Sequence, residues 1–444
     1  MVRSANARVS RRRRRGGARA LAALVALGAV ACSDAAGPDT EMLGRFVSVA
    51  AGSTHACALN EGGEVFCWGS NEQGQLSVPG GGFQSRPVLA RLGADVEAVT
   101  AALDFTCSVE RDGDVVCWGD GRLGQLGWGQ LFSSLDGEVV SGGPADAVSA
   151  GGHHACMLRG PEVSCWGADR YGASLGSRTD AQSRCVVLAT GELWPCVLTP
   201  TALDTPRAFA EVTAGLWHTC ARGAAGSVWC WGANTLGQLG AAAEDECVIE
   251  DRIHGDARFP CNWDPRPVGF AEPVTTVRAG GGHSCAIGAS AALYCWGLDV
   301  PIYGGQLGYG GAVGSRTPVR VQGAQGWSAV AVSPATIFAS TCALTLEGEA
   351  WCWGVGRLGG LGAEPQQTCP VGGGAPCALT PVRVDTQARF TDIAVGDEFA
   401  CGVTTEQRIL CWGANERGQL GDGTVTSRSE PRPITGFGWD RPSA

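Results

Sequence analysis

The triplet Cys-Trp-Gly occurs seven times in this chain, at residues 67–69, 117–119, 165–167, 230–232, 295–297, 352–354 and 411–413. A second cysteine precedes each one: Cys57 before Cys67, Cys107 before Cys117, Cys156 before Cys165, Cys220 before Cys230, Cys285 before Cys295, Cys342 before Cys352 and Cys401 before Cys411. The offset is ten residues in six units and nine in the third. A period of this kind confines the chain to an array of one supersecondary unit and outranks any local motif string.

In the first unit Val47–Gly52 reads as a short strand ending in a turn, then His55–Leu59, a turn over Asn60–Gly63, and Val65–Gly69. Two apolar runs about a Gly-rich turn predict a hairpin. Folding it about Gly62 sets Cys57 opposite Cys67, Leu59 opposite Val65 and Ala58 opposite Phe66. Opposed residues in a non-hydrogen-bonded pair have Cα atoms about 4.5 Å apart, within disulfide range. A cross-strand disulfide is therefore expected in every unit. Both faces of the hairpin are apolar, with Leu59 and Val65 on one and Phe66 and Trp68 on the other. Such a sheet must be covered on both sides, which radially packed blades achieve. Gly-Gln-Leu follows the triplet (Gly74–Leu76, Gly124–Gly127, Gly237–Gly240, Gly305–Gly308, Gly418–Gly421), in altered form at Gly172–Gly176 and Gly359–Gly362. A proline strand comes next, at Pro87, Pro267, Pro318, Pro381 and Pro433. That makes four short strands per unit.

A Gly turn, His-x-Cys-Ala-Leu, a Gly hairpin, Cys-Trp-Gly, Gly-Gln-Leu-Gly and a proline strand together resemble the repeat of the regulator of chromosome condensation, in the style of its secreted bacterial members. The resemblance spans about residues 46–439. It implies a seven-bladed β-propeller of four-stranded antiparallel blades. The founding member is a guanine-nucleotide exchange factor for a small nuclear GTPase, and a streptomycete propeller of this kind inhibits a β-lactamase, so the family leaves activity open. The chain opens on a unit's first strand and ends on a unit's last. The final strand is expected to pair within the blade holding the amino-terminal strands.

Of the 21 cysteines, fourteen lie in hairpins. Six form local pairs in one slot of units three, four and six: Cys185 with Cys196, Cys247 with Cys261, and Cys369 with Cys377. Cys32 completes the count. An even set plus one suits an oxidising compartment. Closing a ten-residue loop is worth roughly 3 kcal/mol in the chain-entropy model. Zinc is disfavoured, because the paired cysteines straddle a turn rather than standing two to four apart. His55, His154, His218 and His283 recur at one position that elsewhere holds Phe105, Ser340 and Phe399. Packing or a turn hydrogen bond explains that exchange better than metal ligation.

Residues 1–31 read as an export signal, with Arg11–Arg15 before an apolar stretch from about Ala20 to Ala31 that is too short to span a bilayer. Ala29-Val30-Ala31-Cys32 resembles a bacterial lipobox, with Cys32 lipidated. The alternative is cleavage after Ala31 that leaves a free thiol. Residues 32–45 form a flexible tether, 46–439 the propeller and 440–444 a tail. Formal charge is −10, but residues 1–31 hold eight arginines and no acid, so the rest stands near −18. That balance argues against nucleic acid as a partner. Lysine is absent, which excludes Schiff-base chemistry and a phosphate-loop lysine.

Two Gly-rich strings, Gly119–Gly124 and Gly354–Gly359, match a dinucleotide fingerprint but open no helix. Gly172–Gly176 matches a nucleophile elbow without its strand–turn–helix context. The acidic loop Glu244, Asp245, Glu246, Glu250, Asp251 and Asp256 lacks the calcium-loop pattern. No catalytic residue, metal or cofactor is assigned. The three stapled insertions share one slot and are expected on one rim, where Trp194, His254, Phe259 and Trp263 are the candidate binding residues. The expected function is a non-enzymatic, monomeric module of a bacterial cell envelope, an outer-membrane lipoprotein or extracellular, touching the membrane only through its lipid. It binds a protein, with a glycan as the variant. Nucleotide exchange and an enzyme acting on surface polysaccharide are the alternatives.

Overall fold

In the first repeat, β1 (Phe46–Ala51), β2 (His55–Asn60), β3 (Val65–Ser70) and β4 (Phe83–Leu89) form one antiparallel sheet in chain order. Cys57 faces Cys67, Ala58 faces Phe66 and Leu59 faces Val65, the register that the hairpin pattern requires. The structure, a computed structural model, describes residues 45–92, 95–172, 183–187, 192–249, 257–298, 305–323, 326–365, 367–369 and 374–436. Six more sheets begin at Val96, Ala147, Glu211, Val274, Trp327 and Phe390 and repeat these four strands, those from Ala147, Glu211 and Trp327 with a fifth strand at the outer edge. The first strands of successive blades pack on one another around the whole ring, with Phe390–Val395 of the seventh blade against β1. The chain is a seven-bladed β-propeller.

The apolar two-faced hairpin explains the ring. Cys57, Leu59, Val65 and Cys67 pack with Val96, Val116 and Trp118 of the second blade. Ala56, Ala58, Phe66 and Trp68, on the opposite face, pack with Phe399, Val403 and Leu420 of the seventh. All seven triplet tryptophans have no exposed surface. Ten disulfides form, seven across the hairpins with Cα atoms 4.0–4.1 Å apart. They and the seam tryptophans stabilise blades that are individually too thin to hold a core.

Three features depart from the sequence expectations. The first and last described strands do not share a blade: Arg428–Pro433 pairs with Ile409–Gly413, and β1 pairs with β2. Each blade is one whole repeat, and no strand among the described residues crosses the last seam. That seam closes as the others do, by packing and by bonds such as Phe46 N–H to Gln407 O at 3.0 Å and Val49 N–H to Asp392 Oδ2 at 3.0 Å. Second, the insertions in blades three, four and six are hairpins rather than loops. Ser183–Val186, Asp245–Ile249 and Gln367–Cys369 each pair with a prolonged fourth strand, which satisfies backbone groups that a loop would leave unpaired. Third, the repeated proline of blades four and seven is Pro265 and Pro431, not Pro267 and Pro433. Every triplet tryptophan sits in a bulge between the third and fourth strands. The proline lies in that bulge, one residue before the partner of the triplet cysteine, where no ladder donor is needed.

Candidate interaction face

The turns between first and second strands and the connections between third and fourth strands emerge at the same end of each blade, because successive strands run antiparallel. Beneath that face the repeat motifs lock the blades together. Trp118 Nε1–H donates to Gln75 O at 2.9 Å, Trp166 to Gln125 O at 2.8 Å, Trp296 to Gln238 O at 2.9 Å, Trp353 to Gln306 O at 2.9 Å and Trp68 to Gln419 O at 2.8 Å. The glutamine side chain closes its own turn: Gln125 Oε1 accepts from Leu123 N–H at 2.7 Å, and Gln238 and Gln419 do likewise. The last glycine of Gly-Gln-Leu-Gly lies flat on the next blade's tryptophan. A Cβ at Gly127, whose φ is +73°, would stand 2.6 Å from Trp166 Nε1. Trp231 and Trp412, which follow the two altered turns, bury an indole N–H with no acceptor among the described residues.

The recurring histidines belong to the same lock. Thr106, Ser284 and Thr341 donate their hydroxyls to Gln75 O, Gln238 O and Gln306 O at 3.0–3.1 Å. His55, His218 and His283 therefore donate to those hydroxyls from Nε2, at 2.7–2.9 Å. Nδ1 of each is buried without a partner. Burial lowers all three histidines, and His154, to about 3.

Above this layer, the residue just before the histidine position differs in every blade: Thr54, Asp104, His153, Trp217, Gly282, Ala339 and Glu398. Blades seven, one and two form an acidic arc. Ser53 Oγ–H donates to Asp397 Oδ2, and Gln75 Nε2 donates to Asp104 Oδ1 at 3.3 Å. Burial, with Glu398 and Asp104 nearby, raises Asp397 to about 6. Burial, then Asp120, raises Asp104.

Blades three and four form an aromatic arc. His153 lies 4.8 Å from Trp217, Trp217 5.1 Å from Trp194 and 5.6 Å from Tyr171, and Tyr171 5.7 Å from Phe259, between ring centroids. The Arg170 guanidinium sits 4.3 Å over Trp194 and 3.5 Å from Glu192. Burial lowers His153 to about 4, against the opposing influence of Asp120.

The sequence-predicted residues fall unevenly on this face. Trp194 is only 6% exposed: it is the buried floor of the aromatic arc, held by the Cys185–Cys196 hairpin, and its Nε1–H donates to Glu192 Oε2 at 2.9 Å. A tryptophan in a stapled insertion is driven inward by the apolar area it can bury. Phe259 and Trp263 are half-buried, with Trp263 stacked over Gly172. His254 and Cys32 lie outside the described residues. His153, Arg170, Tyr171, Trp217 and the acidic arc were not among the sequence candidates. The signal for His153, Trp217, Asp104 and Glu398 was the position that varies among all seven units; Arg170, Tyr171 and Asp397 lie outside it.

Two sequence models of the regulator of chromosome condensation (RCC1) repeat match the chain, one at residues 46–75, 209–238 and 390–419, the other at 225–287, 347–403 and 406–439. The chain carries repeats of this family. The ultraviolet-B receptor UVR8 of Arabidopsis thaliana is 26% identical over 418 residues, 89% of this chain and 83% of the receptor. The human E3 ubiquitin-protein ligase HERC2 is 28% identical over 249 residues, 54% of this chain but 5% of the ligase. The solved structures of Saccharomyces cerevisiae Prp20p (TM-score 0.61, 19% identity, 80% of this chain and 82% of that one) and human WBSCR16 (TM-score 0.62, 21% identity, 80% and 85%) share the fold. Proteins similar to this chain thus include a receptor and a ligase, so the repeat family leaves activity open.

Proposed function

We propose that this chain is a non-enzymatic, monomeric interaction module of the cell envelope, and that it binds a protein partner through the face carrying the acidic and aromatic arcs. The carrying observation is the half-buried aromatic set of Trp217, Tyr171, Phe259 and Trp263, held on a propeller with ten disulfides. Rigid aromatic side chains lose little entropy on binding and are enriched among residues that dominate interface energies. The disulfides suit an oxidising environment. The amino-terminal pattern ending at Cys32 is read as an export and lipidation signal. Titration should find no reactive thiol before reduction and about twenty afterwards if Cys32 is blocked.

Affinity capture from envelope extract, with the oxidised chain as bait, tests the reading. Trp217→Ala with Trp263→Ala should lose the specific protein partner while keeping the disulfides and the β-sheet spectrum. Full retention of every partner by that variant would set aside this face as the binding surface. Specific capture of a glycan instead of a protein would change the partner class.

A further inference from the structure

The partner's chemistry is narrowed by the charges on the same face. Guanidinium groups described at this end of the ring are matched by carboxylates, among them Arg122 with Asp120 at 2.7 Å, Arg170 with Glu192 at 3.5 Å, Arg357 with Glu398 at 3.5 Å, Arg417 with Glu72 at 2.5 Å and Arg428 with Asp422 at 2.9 Å. Asp104 and Asp397 are left without an ion-pair partner among the described residues. Asp397 holds Ser53 through one oxygen, and its Oδ1 is buried with no hydrogen bond to any described residue. A carboxylate withdrawn from water and left unpaired is unfavourable until a cation reaches it.

The apolar side of the face adjoins these acids. Asp120 and Arg122 of blade two act electrostatically on both Asp104 and His153, and His153 packs on Trp217. The chain already shows how a guanidinium settles here: Arg170 lies over the Trp194 ring with Glu192 as its counter-charge. The protein beyond residue 31 is strongly acidic, which repels an acidic partner and draws a basic one.

Building on the protein-binding reading, we propose that the partner offers an extended basic segment. Its arginine or lysine sits against Asp104 and Asp397, and a neighbouring aliphatic or aromatic side chain lies on Trp217 and Tyr171. The contact combines a desolvated charge pair with an aromatic anchor, so specificity comes from the spacing of the two.

The test pans a random twelve-residue phage-displayed peptide library on the full oxidised chain. Enriched peptides are then measured against the wild type, Asp104→Asn/Asp397→Asn and Trp217→Ala. The expected peptides carry Arg or Lys beside an apolar residue and bind at least tenfold more weakly to either variant. Replacing their cation by citrulline or norleucine should cost a similar factor, and affinity should fall with added salt. The two asparagines are near-isosteric, and an unchanged thermal midpoint shows that the fold is kept. Enriched peptides that lack a cation but depend on Trp217 would overturn the basic segment and leave the binding face standing. Peptides indifferent to both variants, or no enrichment at all, would overturn the inference, the former also taking the face with it.

Discussion

His55 Nε2 lies 2.9 Å from Thr106 Oγ1 across the first seam of the propeller, and the same contact recurs wherever the repeat allows it. His154 meets Thr219, His218 meets Ser284 and His283 meets Thr341, at 2.7–2.8 Å. Where a blade carries Phe105, Ser340 or Phe399 instead, the next blade has Ala155, Ala400 or Ala56 at the hydroxyl's position. Histidine goes with hydroxyl, and its replacements go with alanine. The position is read by the neighbouring blade and not by a ligand.

That pairing predicts an exchange experiment. His55→Phe alone should cost about 2 kcal/mol, from the lost buried hydrogen bond and crowding against Thr106. Adding Thr106→Ala copies the second seam's pair of Phe105 and Ala155 and should recover at least half of it. Urea denaturation of the oxidised chain measures both steps, and additive costs would refute the pairing.

The same histidines make the propeller acid-sensitive. Their folded values near 3 lie below the ordinary 6.5, so the unfolded chain takes up protons first. Their stabilisation is complete above pH 6.5 and is lost as pH falls towards 3, up to about 4–5 kcal/mol per residue. Asp397 works the other way. Raised to about 6, it favours folding as pH drops from 6 towards 4. His153, lowered to about 4, adds to the four, and together the histidines outweigh Asp397 and the other carboxylates that burial raises, among them Asp104, Asp392 and Glu398, so the urea midpoint should fall between pH 7 and pH 4.5. The His55→Phe/Thr106→Ala protein should show a shallower decline.

Tryptophans that look alike in sequence should differ in cost. Trp118→Phe removes a bond to Gln75 O, whereas Trp412 has an indole N–H with no acceptor among the described residues. Trp118→Phe should therefore destabilise by about 1 kcal/mol more than Trp412→Phe. Equal unfolding free energies for the two variants would contradict the seam bond.

The stapled hairpin of blade three should be separable from the fold. Cys185 and Cys196 share a cluster with Leu123, Ala168 and Trp194. Replacing both cysteines with alanine should leave the β-sheet spectrum and the seven hairpin disulfides intact. Near-ultraviolet circular dichroism from the Trp194–Trp217 pair should be largely lost, together with partner binding. Unchanged near-ultraviolet spectra would show that the staple does not hold the aromatic arc.

The scaffold was legible in the sequence because it repeats. Cys57 opposite Cys67 follows from a ten-residue offset about a Gly turn, and Trp68 had to be covered because both hairpin faces are apolar. Relations between units were harder to read. The donation from Trp118 to Gln75 joins two blades through a backbone carbonyl, which leaves no mark on residue type. Ring closure without a shared strand depends on side-chain packing at the last seam, to which Phe399 and Phe46 contribute alike. The face was least legible. Trp194 drew attention as a tryptophan in an insertion, yet it is the support on which Trp217 and Arg170 rest.

The account centres on one face of the ring, and hydrogen–deuterium exchange of the oxidised chain with and without its captured partner tests it most directly. Protection is predicted at residues 53–54, 103–104, 152–153, 216–217 and 397–398, the turns bearing the acidic and aromatic arcs. Protection confined to the opposite turns, residues 60–64, 110–114 and 404–408, would contradict it.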